Sequence, residues 1–244
     1  DNTISDTVLV YIDGSEGSAG GNNDISVTST STPTISATNT LGAVSFGLGV
    51  AGAGGSAETT INGTTEAYLR GATLTASGNR VLVESSSTAL VSPTVQGLSG
   101  GLASVGFMLS DVVIAGATRA FADGQTSVTA NSLNVHASDT STATPSTLIV
   151  GVGGITLAGA ESTSTVERTT EASIGAGSNI SLGTGTLDVE ATSNSTSAGA
   201  STGVAAGAIS VAFLLVDSTT NGTTRAFVGD GAVVEAGQFN LTAD

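Results

Sequence analysis

The chain holds a single histidine, His136, five arginines, and neither lysine nor cysteine. Triad chemistry needs a histidine or lysine beside the nucleophile, so it could rest only on His136. That residue follows Val135 on the polar side of an alternating stretch, with no Cys or acidic cluster beside it in sequence, and reads as structural or solvent-facing. Paired carboxylates can cleave glycosides. Pectinolytic β-helices carry such acidic clusters, but their sites also favour Lys, Arg and aromatic side chains, which are scarce here. The stretch GLGVAG, residues 47–52, matches GxGxxG. A dinucleotide site needs that motif between a strand and a helix, with an acidic residue about 20 positions further on. Here it lies in a Gly/Ala run that recurs along the chain. No GxxxxGK is present, and without lysine none can be. The expectation is a protein without catalytic residues or an organic cofactor.

Two other sets of charged residues recur at regular spacing. Glu66, Arg119, Glu171 and Arg225 follow one another at intervals of 53, 52 and 54 residues and alternate in sign. Asp1, Glu58, Asp111 and Asp217 also recur, with Thr163 at the intervening place and Glu161 close to it. If that second set shares an edge, its carboxylates repel unless they are solvated or share a cation. Ca²⁺, which takes six to eight oxygen ligands, would suit it. The alternative is a solvated edge that resists aggregation.

A repeat places these residues. Thr65-Glu-Ala-Tyr-Leu69, Thr118-Arg-Ala-Phe-Ala122, Thr170-Glu-Ala-Ser-Ile174 and Thr224-Arg-Ala-Phe-Val228 share one core, and Val8-Leu-Val-Tyr-Ile12 is a weaker copy. The marker position Tyr11, Tyr68, Phe121, Ser173, Phe227 steps by 57, 53, 52 and 54 residues, a period of about 54. Some 12–14 residues after each marker comes an alternating apolar pair: Ile25/Val27, Val81/Val83, Leu133/Val135, Leu187/Val189 and Phe239/Leu241. Period-two alternation is a strand with one buried face. A Ser/Thr run follows, then a Gly/Ala/Val stretch at residues 42–55, 97–113, 151–160 and 203–216.

Each unit therefore reads as a short strand, a glycine-containing turn, a second short strand and two longer strands. None could bury its apolar face alone, and stacking like on like solves this. The expected fold is all-β, a parallel β-solenoid: one continuous segment, residues 1–244, with repeats at about 1–57, 58–110, 111–162, 163–216 and a partial 217–244. Wide, flattened coils, one per repeat, would set Glu66, Arg119, Glu171 and Arg225 on adjacent rungs about 4.8 Å apart. Opposite charges there contribute about 0.2–1 kcal/mol per pair. Three narrow turns per repeat would separate them by roughly 14 Å and lose the pairing. On the first layout the four form a structural charge ladder that pins register; otherwise they are unrelated solvated charges.

Composition agrees. The net charge is −15, which makes nucleic acid a poor partner. Charged residues are 10% and aromatics 3%, while hydrophobics reach 39%, too many for a disordered chain. The longest apolar runs, residues 41–55 and 205–216, fall short of the roughly 18–20 residues of a membrane helix. Scarce aromatics argue against the girdles of an outer-membrane barrel. Asn62, Asn179, Asn194, Asn221 and Asn240 begin glycosylation sequons, but Asn62-Gly63 and Asn221-Gly222 occupy equivalent places and read as turns. Residues 11–24 only loosely resemble the calcium-binding RTX nonapeptide and read as a loop.

The phrase T-x-A-F-V-G-D-G-A-x-V-x-A-G-x-F-x-L-x-A at residues 224–243, with its copies, resembles repeats of filamentous-haemagglutinin-like adhesins and related β-strand-repeat giant surface proteins of Gram-negative bacteria. The resemblance covers nearly the whole chain. It implies an extracellular, cell-surface, elongated and non-catalytic protein, the shaft of an adhesin or a surface filament. Neither end reads as a polar cap, so the expected partners are flanking repeats or further copies stacked end to end. The alternative is a surface-binding module whose Ser/Thr-rich faces recognise carbohydrate or ice.

Overall fold

The computed structural model describes every residue except Gly47, the first glycine of the GxGxxG match. The described residues are 80% strand and contain no helix. The match therefore runs into a strand, Val50–Arg70, and lacks the helix a dinucleotide site requires. Two nine-stranded sheets make up the fold, and every strand pairing is parallel. Pairing partners lie one repeat apart: Tyr11 opposite Tyr68, Tyr68 opposite Phe121, Phe121 opposite Ser173, and Ser173 opposite Phe227. Each repeat is thus one wide coil, and the protein is a parallel β-solenoid.

The path of one coil follows from its breakers. Ser127–Ala143 runs outward in one sheet. Thr144 and Pro145 interrupt it, and Ser146–Ile174 begins in the other sheet. Proline has no N–H for the ladder, while the Pro145 and Pro93 carbonyls still accept from Ala200 and Ser146 of the next coil, both at 2.9 Å. In these two middle coils the break therefore costs one donor each and stacks in register. Ser146–Ile174 cannot be straight, because Thr147 and Ser162 of this one run lie face to face with hydroxyls 3.1 Å apart. The chain folds back midway, at Gly153-Gly154. A Cβ on Gly153 would collide with the Gly101 carbonyl of the preceding coil, and one on Gly207 with that of Gly153. Glycine lets the backbones stack at this bend. The return layer then runs to Ile174 and turns into the next coil.

The core fills the space between the outbound and return layers. Val81, Val83, Leu133, Val135, Leu187 and Val189 point inward from alternate positions of one sheet against Leu69, Ala120, Ala122 and Ile174 of the other. The alternating apolar pairs of the sequence are therefore core columns: Ile25, Val81, Leu133, Leu187 and Phe239 share one rung position. A second cluster joins Ile61, Ile114, Val166, Val91 and Ala143, and a third, near the bend, joins Val95, Met108, Ile149 and Ala158. A fully buried Leu or Ile contributes about 1.5–3 kcal/mol.

Two expectations need correction. The marker strand is not separate in the middle coils, where it continues the return layer without a break, as in Thr94–Asp123. Likewise Asn62-Gly63 is no turn but lies within Val50–Arg70, although Asn221-Gly222 does interrupt two strands. The reason is steric: Gly63 makes room for the Asp6 carboxylate from the preceding coil, with which a Cβ would collide.

Candidate functional site

Charge and aromatic columns on the return layer form the most regular feature. Glu66, Arg119, Glu171 and Arg225 occupy successive rungs, with Leu9 on the rung before. Arg119 Nη1 lies 2.9 Å from Glu66 Oε1, and Arg225 Nη1 lies 3.8 Å from Glu171 Oε2. Among the described residues no ion pair joins Arg119 to Glu171, so the column divides into two pairs. Beside it the Tyr11, Tyr68 and Phe121 rings stack at 5.0 and 4.9 Å, nearly parallel. The Arg70 guanidinium sits 4.8 Å from the Tyr68 ring centre, and that of Arg225 sits 5.0 Å from Phe227. Ser173 takes the place of the fourth ring. A shallow groove of about 410 Å³ opens there, bordered by Phe121, Phe227, Arg119 and Glu171.

All five arginines bridge to a carboxylate on another coil or the opposite layer: Arg70 to Asp123, Arg80 to Asp24, Arg119 to Glu66, Arg168 to Asp139 and Arg225 to Glu171. Four pairs follow the repeat spacing along the axis. The fifth crosses the interior between the two layers, and its side chains are 2% and 0% exposed. Arg168 Nε and Nη2 donate to Asp139 Oδ1 at 3.0 and 2.9 Å. Nη2 also donates to Ser87 and Thr118, and Nη1 to the Ala115 and Gly63 carbonyls at 2.7 and 3.1 Å. Asp139 accepts in addition from Ser141 at 2.7 Å. Every N–H of the guanidinium has an acceptor, as burial demands.

Stacking makes room for this pair. Arg168 shares its rung position with Gly116, and Gly116 shares its own with Gly63. A Cβ on Gly116 would collide with Gly63 O and would come within 2.7 Å of Arg168 Nη1. The glycines leave an axial slot, and the arginine lies along it. Across the interior, Asp139 shares its position with Ser87 and Ser193, and Ser87 with Ser31. The sequence reading missed this network. The available signal was an arginine standing where the neighbouring coils have glycine.

The acidic column is also in register: Glu58 opposite Asp111, Asp111 opposite Thr163, and Thr163 opposite Asp217. Asp1 precedes Asn2, which pairs with Thr59. Thr163 interrupts the carboxylates. Among the described residues, the only group of three or more potential ligands within 4.8 Å of one another is elsewhere: His136, Asp188 and Glu190. His136 is therefore not isolated. His136 Nε2 lies 3.2 Å from Asp188 Oδ2, and Glu190 sits directly across from it on the adjacent strand. The signal was the period itself, since 136 plus 54 is 190, with Asp188 two residues before on the same face.

Comparison with protein-family models, with curated proteins and with solved structures finds no match. No helix among the described residues is long and apolar enough to cross a membrane.

Proposed function

We propose that this chain is a structural repeat module of an extracellular bacterial adhesin shaft or surface filament, and that it is non-catalytic. One observation carries the reading: equivalent residues sit on successive rungs through five layers, so each coil offers the next the same face. Inter-coil ion pairs, a ring stack and parallel backbone ladders all run along that axis. They resist axial slip and bending rather than converge on a substrate. Five layers at about 4.8 Å per rung span only about 20 Å axially. The 17-residue strand Ser127–Ala143 alone spans about 55 Å across. This segment is thus a slab, and a shaft needs many such coils, from flanking repeats or from stacked copies.

The test is dimensional. Chains in which residues 1–216, four whole repeats, occur two or four times in tandem ahead of residues 217–244, imaged by negative-stain electron microscopy, should give particles of constant width. Length should grow by about 20 Å per added copy, since each adds four rungs. Lengths that do not scale with copy number, or particles that broaden, would overturn the reading.

A further inference from the structure

We infer that His136, Asp188 and Glu190 form a binding site for a divalent transition-metal ion of the Zn²⁺ type, clipping two adjacent coils together. The site lies on the outer face of the sheet that contains Ser127–Ala143 and Thr186–Ser197. Val135, Leu187 and Val189 point into the core, so the alternating residues 136, 188 and 190 point out. Parallel register sets His136 opposite Glu190 and Asn134 opposite Asp188, which brings both carboxylates to one side of the imidazole. His136 and Asp188 are each a little under one-third exposed, held yet reachable from solvent.

The donor chemistry selects the ion. One imidazole nitrogen with two carboxylate oxygens suits Zn²⁺, Co²⁺ or Ni²⁺, whereas Ca²⁺ and Mg²⁺ prefer oxygen alone. The potential ligand atoms already lie within 4.8 Å of one another. A tetrahedral ion with bonds of about 2.0–2.2 Å needs them about 3.3 Å apart. Rotation of the half-buried carboxylates on the outer face covers that difference without moving the strands. Three protein ligands leave a position for water.

Charge supports the same conclusion. On its other flank His136 is paired in register with Glu84. All five arginines are engaged with other carboxylates, so among the described residues no guanidinium neutralises this cluster. Here strand spacing gathers negative charge around an imidazole without a compensating cation, and a divalent ion supplies it. This inference does not depend on the proposed filament role.

The experiment uses the whole chain, stripped with chelator. Zn²⁺ titrated calorimetrically should bind one ion per chain and raise Tm, since an ion that binds only the folded form stabilises it. Co²⁺ should give visible absorption bands. As the chain's only histidine, His136 supplies imidazole ring NMR signals that need no assignment, and they should shift with Zn²⁺. His136→Gln should abolish the binding. Asp188→Asn and Glu190→Gln should each weaken it by about tenfold or more, since even outer-shell partners carry that much. Asp111→Asn, on the acidic column, should leave it unchanged. Absence of binding at 1:1 stoichiometry, survival of binding in His136→Gln, or an equal Tm response to Ca²⁺ would each overturn the inference. All three ligands are on the outer face, so circular dichroism of the variants should match the parent; a variant that fails this check is replaced by the ring signals of the parent chain, which decide alone.

Discussion

Replacing Arg168 with Met should destabilise the protein by about 3–5 kcal/mol, because it leaves a buried carboxylate without its counter-charge, held only by the Ser141 and Thr118 hydroxyls. At 2.9 Å the Arg168–Asp139 attraction is about 6 kcal/mol for an effective dielectric near 20. Desolvating the two ions costs several kcal/mol each, so the intact pair contributes little net. Breaking it is different: Met keeps most of the side-chain volume in the glycine slot but satisfies neither Asp139, nor Ser87, nor the Gly63 and Ala115 carbonyls. Asp139→Ser restores the residue that the neighbouring coils carry at this position, as Ser87 and Ser193 show. Added to Arg168→Met it should recover a substantial part of the loss, with a coupling energy of about 2–3 kcal/mol. Urea unfolding of the parent, both single variants and the double variant measures the cycle. For comparison, Arg225→Met breaks an exposed pair at 3.8 Å and should cost no more than about 1 kcal/mol. A loss below about 1 kcal/mol for Arg168→Met, or single losses that simply add, would refute the reasoning.

Two further substitutions probe the axial columns. Ser173→Phe should complete the ring stack between Phe121 and Phe227, adding about 1 kcal/mol and raising Tm by about 2–4 °C; a fall in Tm would mean the groove does not admit a ring. Gly116→Ala should cost about 2 kcal/mol or more, because φ is 113° and the new Cβ would collide with Gly63 O. Denaturant unfolding reads this directly, and a neutral result would show that the layers shift freely at the slot.

Much of the architecture is visible in the order of residues alone. The marker residues, the alternating apolar pairs and the charges Glu66, Arg119, Glu171 and Arg225 all recur with one period. In a fold where one period is one coil, equal spacing along the chain becomes adjacency in space. Four of the five arginine pairs are therefore legible as differences of 53 to 56 residues. The same arithmetic reaches Glu190 from His136, once the histidine is read as a member of a column rather than as a solitary residue.

Contacts between the two layers are not written in the order of residues and are fixed only when the chain folds. Asp139 and Arg168 are 29 residues apart, a separation unrelated to the period. Their meeting depends on where the return layer folds back, at Gly153-Gly154, and on how far it slides over the outbound layer. Gly63 likewise reads as a turn residue until the Asp6 carboxylate is seen filling the space it leaves. Stacking along the axis is repetitive and so is written in the period. Packing across the coil is set by bend position and side-chain volume, which no interval in the sequence records.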